Sequence, residues 1–154
     1  MQKQRLFRIL SGADKEAVEG LAGKVMRQHR VTIVKEPQKT LTMIQMREPA
    51  RQSLFYLGEV IVCEAIVEIS GVRGMAVTMG VEPGKALHMA IIDAACNCGI
   101  FEDIPTLEAL EAEQEARRQR ENALHLKTMV QFHSMDAVHS EDVNSFSGSG
   151  GAET

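Results

Sequence analysis

Three cysteines have the widest chemical repertoire in this sequence: Cys63, Cys96 and Cys98. A thiolate can bind a metal ion or act as a nucleophile. If Cys96 and Cys98 lie on a helix, their side chains point about 160° apart and cannot hold one ion together. No second Cys/His pair follows at the spacing of a zinc finger. Small buried hydrophobic side chains are therefore the favoured interpretation, and a thiol or metal protein is the last-ranked alternative.

The stretch LFYLGEVIVCEAIVEI, from Leu54 to Ile69, carries three glutamates, and two of them, Glu59 and Glu64, stand where a core strand should not carry a carboxylate. Strand alternation predicts one apolar face, made of Ile61, Cys63, Ala65, Val67 and Ile69. Glu64 falls on the other, mixed face, whereas Glu59 is in phase with the apolar face and follows Gly58, where a bulge could redirect it. A single carboxylate without a positioned partner is weak evidence for acid–base catalysis. We therefore predict a solvated or interface role for both glutamates.

A glycine-containing segment, GVEPGK at residues 80–85, lies between a predicted strand and a predicted helix. It lacks the glycine spacing and the Gly-Lys-Ser/Thr ending of a phosphate-binding loop, so a turn is the favoured interpretation. Lys85 could still meet an anion near the helix start, where backbone N–H groups are exposed. No other catalytic or dinucleotide-binding motif is visible, and no catalytic residue is predicted.

Composition limits the classes of protein that the chain could represent. The 154 residues are 44% apolar and 25% charged, which is enough apolar material for one packed domain. A net charge of -4 argues against nucleic-acid and membrane-surface binding. No apolar run is long enough to span a membrane, and the start MQKQRLFRIL lacks the features of a signal peptide. We expect a cytoplasmic protein with free thiols.

Periodicity predicts an α+β fold. The sequence is helical in pattern from Gln4 to Gln28, with a break at Ser11 and Gly12. It then changes to extended segments separated by short turns, which favours an antiparallel sheet of about four strands. Two of the predicted strands, VTIVKE and TLTMIQMRE, are separated by Pro37. The N-terminal helices therefore precede the sheet.

A buried helix is predicted to follow the sheet, from Pro83 to Cys98, with Gly99 ending it. It is apolar on both sides, since Met89 and Ile92 lie away from the face that carries Leu87, Ala90, Ile91 and Ala94. Such a helix should be covered on both sides. One cover would be the sheet, and the other could be a second chain.

A long polar helix is predicted to begin at Pro105 or Thr106 and to run to about Val130. Its middle, EAEQEARRQREN, carries almost no apolar stripe, so the core of its own domain could not hold it alone. We interpret it as an arm that reaches a partner. The domain would span residues 1–138, followed by a disordered Ser/Gly-rich tail at residues 139–154.

Four segments in fixed order resemble the PhnG subunit of the bacterial carbon–phosphorus lyase core complex. They are LTMIQMRE, FYLGEVIV, GMAVTMG followed by ALHMAIIDA, and KTMVQFHSMD from Lys127. Three positions depart from the family pattern: EPARQS replaces a glycine-rich loop, Cys63 and Glu64 replace a Thr-Arg pair, and Lys85 falls at a histidine position. The residues predicted to face a partner or ligand are Arg47, Glu59, Glu64, Lys85, Met89, Ile92, Asp93 and Phe132.

The resemblance implies a small α+β subunit that works with PhnI-like, PhnH-like and PhnJ-like partners. The complex would form α-D-ribose 1-methylphosphonate 5-triphosphate from ATP and methylphosphonate. ATP would be a substrate of the complex, and this chain would bind no cofactor. The alternative is a self-associating α+β ligand-binding module, a homodimer in which an identical chain covers the second face of the buried helix.

Overall fold

Two helices open the fold in the computed structural model, which describes residues 2–128. Helix α1 spans Lys3–Gly12 and helix α2 spans Lys15–Gln28, with Asp14 as the N-cap residue of α2. Ala13 between them is extended, and its N–H donates to the Ile9 carbonyl. Each helix buries one apolar stripe at helical spacing: Leu6, Ile9 and Leu10 in α1, and Val18, Leu21, Ala22 and Val25 in α2.

Three antiparallel strands form the sheet of the described residues, in the order β1-β2-β3. Strand β1 spans Val31–Arg47, β2 spans Leu54–Ile69 and β3 spans Val72–Met79. The prediction of about four strands was one too many, because β1 continues through Pro37. This proline lies on an edge strand, at an irregularity in the register between Lys35 and Gln38, where a missing N–H breaks no ladder.

Strand β2 has the bounds that its sequence predicts, but only its second half is buried. Cys63, Ala65, Val67 and Ile69 are fully buried on the inner face, which confirms the predicted alternation there. The inner face packs against the helix that follows β3. The first half of β2 extends beyond this contact. A two-residue turn at Ser70 and Gly71, both with positive φ, joins β2 to β3.

Helix α3, Pro83–Cys98, is the centre of the core and ends at Gly99 in the left-handed conformation, as predicted. It packs on β2 and β3 and also contacts α1 and α2. The second cover of this doubly apolar helix is therefore the chain's own pair of N-terminal helices, not a second chain. Helix α3 is buried on both sides because it lies between the sheet and the N-terminal helices.

Helix α4, Ile104–Lys127, begins slightly before the predicted start. Its first part, up to Arg118, belongs to one compact unit with the rest of the fold, and residues 119–128 belong to a second unit. In the first unit Leu107 is fully buried, and Gln114 Nε2 donates to the Ile9 carbonyl at 2.9 Å. Arg5 Nε donates to Glu111 Oε2 at 2.9 Å. The start of the predicted polar helix is thus held by its own domain.

Candidate functional site

A projecting β-hairpin is the main candidate surface. We call residues 41–61 the hairpin arm, since they combine the second half of β1 with the first half of β2. Strand β3 ends at Met79 opposite Val62, and Gly80 N–H donates to the Ile61 carbonyl at 3.1 Å. From Leu54 to Ile61, β2 therefore pairs with β1 alone among residues 2–128. The arm is a two-stranded ribbon, a structure that is marginal in water without a further layer.

Large apolar side chains cover the hairpin arm. Eight of them are between 42% and 61% exposed: Leu41, Met43, Met46, Leu54, Phe55, Tyr56, Leu57 and Ile61. Single exposed apolar residues are ordinary, but eight large ones on one two-stranded ribbon are typical of a surface that contacts another molecule. The edge of β2 along LFYLGEV pairs with no further strand of residues 2–128, and it lacks the lysine or proline that commonly protects an edge strand. The arm is therefore the candidate association surface.

The tip of the hairpin arm is ordered by its own polar groups. Arg47 Nη1 donates to the Gln52 carbonyl at 2.8 Å. The Glu48 carboxylate accepts hydrogen bonds from the backbone N–H of Ala50 at 3.0 Å and of Arg51 at 2.6 Å. Arg47, a predicted contact residue, thus lies on the arm and stabilises its connecting loop.

A β-bulge lies next to Glu59. Ile44 pairs with Gly58 and Gln45 pairs with Tyr56, so β2 carries one extra residue at Leu57. The predicted bulge near Gly58 is confirmed, although it lies inside β2 and not at the start of the strand. Glu59 is exposed. Its role as a contact residue stays a prediction.

The outer face of the sheet, opposite α3, is also partly apolar. Met75, Val77 and Met79 are 53%, 48% and 69% exposed on β3. Glu64 lies beside them, paired in register with Val77. Lys35 Nζ donates to Glu64 Oε1 at 2.6 Å and Gln38 Nε2 donates to the same oxygen at 3.1 Å. These hydrogen bonds, that of Lys35 first, lower the pKa of Glu64.

The lowered pKa of Glu64 predicts a pH dependence of stability. The contact with Lys35 contributes above the ordinary carboxyl pKa of 4.5 and loses its contribution as the pH falls through the lower folded pKa. We expect Glu64→Gln to lower Tm at pH 7 by a few degrees at most, and to have less effect in acid. Thermal unfolding from pH 2 to pH 7 measures this. Glu68→Gln is the matched control, because Glu68 lies on the same face with a longer contact of 3.5 Å to Arg73. Equal effects of both substitutions at all pH values would contradict the assignment.

Four of the predicted contact residues are buried inside the domain: Lys85, Met89, Ile92 and Asp93. Lys85 is 9% exposed, and its Nζ donates to the carbonyls of Ser11 at 2.9 Å and Ala13 at 2.8 Å. It therefore satisfies carbonyl groups at the end of α1. Met89 and Ile92 are fully buried in the core. Phe132 lies outside the described residues.

Asp93 is a buried carboxylate that joins α3 to the sheet. It is 1% exposed, and its Oδ2 accepts a hydrogen bond from the backbone N–H of Met75 at 3.0 Å. Lys3 Nζ lies 3.0 Å from the same oxygen, and Asn97 Nδ2 donates to it at 3.3 Å. Sequence reasoning missed both side-chain partners, Lys3 and Asn97. The i, i+4 spacing of Asp93 and Asn97 was a usable signal, whereas nothing local indicates Lys3.

The cysteines occupy separate structural positions. Cys63 Sγ donates to the Gly80 carbonyl at 3.4 Å, and Cys98 Sγ donates to the Ile69 carbonyl at 3.2 Å. Burial, with the nearby Asp93 carboxylate, raises the pKa of Cys96 to about 11. Cys96 is therefore a protonated thiol at neutral pH, which disfavours it as a nucleophile. Among residues 2–128, no three His, Cys, Asp or Glu side chains are grouped to hold a metal ion.

Comparison with protein families matches residues 1–136 to the family described as phosphonate metabolism protein PhnG. The chain belongs to the PhnG family. It therefore has a role in phosphonate metabolism. A search of curated proteins found no match. No helix of the part that the structure describes is long and apolar enough to cross a membrane.

The segments that resemble PhnG occupy informative places in the fold. LTMIQMRE and FYLGEVIV supply the facing strands of the hairpin arm, and GMAVTMG lies along β3. ALHMAIIDA lies in α3 and contains Asp93. The fourth segment, KTMVQFHSMD, lies outside the described residues except for Lys127 and Thr128.

The residues that depart from the PhnG pattern also have defined positions in the structure. EPARQS forms the loop at the tip of the hairpin arm, between β1 and β2. Cys63 faces the core, and Glu64 is engaged by Lys35 on the outer face. Lys85, at the family's histidine position, is used inside the fold. A phosphate-binding role at these positions is therefore not supported by their contacts.

Proposed function

We propose that this PhnG-family chain is an accessory and assembly subunit of the carbon–phosphorus lyase core complex in the cytoplasm. It would support formation of α-D-ribose 1-methylphosphonate 5-triphosphate from ATP and methylphosphonate. Its partners would be PhnI-like, PhnH-like and PhnJ-like subunits. ATP would be a substrate of the complex, and this chain would bind no cofactor itself.

The hairpin arm is the observation that carries this proposal. A folded domain gains nothing by itself from a two-stranded ribbon with eight large, exposed apolar side chains. Burial in an interface would stabilise each of those side chains and would pair the edge of β2 that has no strand partner within residues 2–128. The free chain therefore presents the surface of an obligate subunit.

The polar residues support an accessory role, because the candidates for chemistry have structural contacts. The Lys85 ammonium group binds two carbonyl oxygens of the α1–α2 connection. The Glu64 carboxylate is held by Lys35 and Gln38. Asp93 anchors β3 through the Met75 N–H. The contacts of Lys85 and Glu64 are those of structural groups, whereas a general acid or base must be free to exchange a proton with the substrate.

Co-expression tests the proposal directly. A tag on this chain is expected to capture a PhnI-like subunit when the chain is produced with PhnI-like, PhnH-like and PhnJ-like proteins. The purified complex should release adenine from ATP in the presence of methylphosphonate, and the isolated chain should not. Robust adenine release by the isolated chain would contradict an accessory role. A stable homodimer that captures none of the three proteins would support self-association instead.

A further inference from the structure

One edge of the hairpin arm continues the line of β3. Strand β3 pairs with β2 as far as Val62, and the hydrogen bond from Gly80 N–H to the Ile61 carbonyl follows at 3.1 Å. The chain leaves the sheet at Gly80, which has a φ of 104°, and α3 begins at Pro83. We call the edge of β2 along residues 54–61 the arm edge. It pairs with no strand of residues 2–128.

Backbone groups of Glu59 are directed to the arm edge. In an antiparallel strand, the N–H and C=O groups of successive residues alternate between the two neighbouring strands. The Ile61 carbonyl faces the side of β3, and the pairing of β2 with β1 is regular from Gly58 to Glu64. The N–H and C=O groups of Glu59 therefore point to the same side as the Ile61 carbonyl, whereas those of Val60 point to β1. A strand laid along the arm edge would find these Glu59 groups ready to pair.

Glu59 also supplies a charge beside the arm edge. Its carboxylate is exposed and makes no hydrogen bond or ion pair with residues 2–128. Glu59 pairs in register with Met43, and the next pair on the same face is Ile61 with Leu41. These three apolar side chains are between 50% and 61% exposed. A lysine or arginine on an added strand fits beside Glu59, because its charge is opposite and its carbon stem can pack on the apolar neighbours.

We propose that an extended segment of a partner subunit adds to the arm edge as a further strand, in line with β3. The proposal rests on the assembly role and specifies how the partner binds. The added segment is apolar at alternate positions and carries a lysine or arginine beside Glu59. Main-chain hydrogen bonds hold the segment, and its side chains select it. Addition of a strand gives the arm three strands, and a two-stranded ribbon alone is marginal in water.

Hydrogen exchange at single residues tests strand addition. The tagged full chain is measured alone and in the complex that it captures on co-expression with PhnI-like, PhnH-like and PhnJ-like proteins. The Glu59 N–H should exchange at least tenfold more slowly in the complex, at a rate similar to that of the Val60 N–H. Val60 is the internal reference, because its N–H faces β1 in both states. A partner that only covers a face of the arm would slow exchange at Val60 but not at Glu59.

The outcomes separate this proposal from the assembly role. A captured complex in which the Glu59 N–H exchanges as fast as in the isolated chain overturns strand addition and leaves the assembly role standing. Failure to capture any of the three proteins contradicts both. Slow exchange at Glu59 in the isolated chain would mean that this chain or a second copy covers the arm edge, and it would also overturn the proposal.

Variants at Glu59 separate its N–H from its charge. Glu59→Ala and Glu59→Pro both remove the carboxylate, but only proline removes the N–H, which an edge strand tolerates where the ladder does not use it. Capture by Glu59→Pro should be at least tenfold weaker than by Glu59→Ala. Equal capture by the two folded variants overturns strand addition, and hydrogen exchange of the natural chain decides if Glu59→Pro does not fold.

Charge reversal tests the predicted cation of the partner. Glu59→Lys should weaken capture at least tenfold, because it places a cation beside the lysine or arginine of the added segment. Glu36→Lys is the matched control, since Glu36 is an exposed glutamate on β1 outside the hairpin arm. This control should capture the partner normally. Normal capture by a folded Glu59→Lys variant would overturn the proposed contact.

Discussion

Phe55→Lys combined with Leu57→Lys is expected to abolish capture of a PhnI-like subunit by the tagged chain. Both side chains lie on the hairpin arm and are 42% and 59% exposed. A lysine ammonium group at an interface core must lose its water or keep the partner away, and either outcome opposes association. Lysine on an edge strand also opposes pairing with another strand. We expect the captured amount to fall at least tenfold, a change of about 1.4 kcal/mol in binding free energy.

The double substitution should leave the fold intact, because exposed positions contribute little to the free energy of unfolding. Met26→Lys is the matched control: Met26 is 45% exposed, but lies on α2, away from the arm. This variant should capture the partner normally. Circular dichroism and thermal unfolding of each variant separate lost binding from lost folding. Normal capture by a folded Phe55→Lys, Leu57→Lys variant would show that the hairpin arm is not the interface.

Gly74→Ala is expected to lower the free energy of unfolding by about 3 kcal/mol, the upper part of the usual range for overpacking. A Cβ atom at Gly74 would lie within 2.6 Å of three backbone atoms, which are Ala94 N, Ala90 O and Ala94 Cα. Backbone atoms cannot rotate away as the end of a side chain can. The variant must separate β3 from α3, which also strains the hydrogen bond between Met75 N–H and Asp93. Denaturant unfolding measures the loss.

Gly20→Ala is the control for Gly74→Ala, and the opposite sign is expected. Gly20 lies in α2, and a Cβ atom there would meet nothing within 4 Å. Alanine favours a helix over glycine by about 0.5 to 1 kcal/mol, so the variant should be slightly more stable than the natural chain. A Gly74→Ala variant as stable as Gly20→Ala would mean that β3 and α3 are not in close contact.

The local features of the fold were largely predictable from the sequence. The stretch LFYLGEVIVCEAIVEI coincides with β2, and its alternation predicted the buried face except at Ile61, which is 50% exposed. Pro83 and Gly99 marked the ends of α3, because proline suits a first turn and glycine suits a left-handed C-terminus. Pro37 was misleading, because a proline ends a central strand but can lie within an edge strand. Whether a strand is at an edge depends on its neighbours, which its own sequence does not state.

Only part of the candidate site was predictable. Of the predicted contact residues, Arg47 and Glu59 lie on the hairpin arm, whereas Lys85, Met89, Ile92 and Asp93 are buried. The apolar pattern of a strand is the same whether its apolar side chains face a core or solvent. The arm projects because β3 ends opposite Val62, which the sequence of the arm itself does not indicate.

The sequence by itself determined the PhnG family, the helical and extended periods, and the faces on which side chains lie. These properties depend on residues close together in the chain, whose backbone angles and spacing are set locally. Tertiary structure alone decided that α1 and α2 cover α3, that Lys3 meets Asp93, and that half of β2 pairs on one edge with no strand of residues 2–128. Those contacts join residues far apart in sequence, and their selection depends on how the whole core buries its apolar surface.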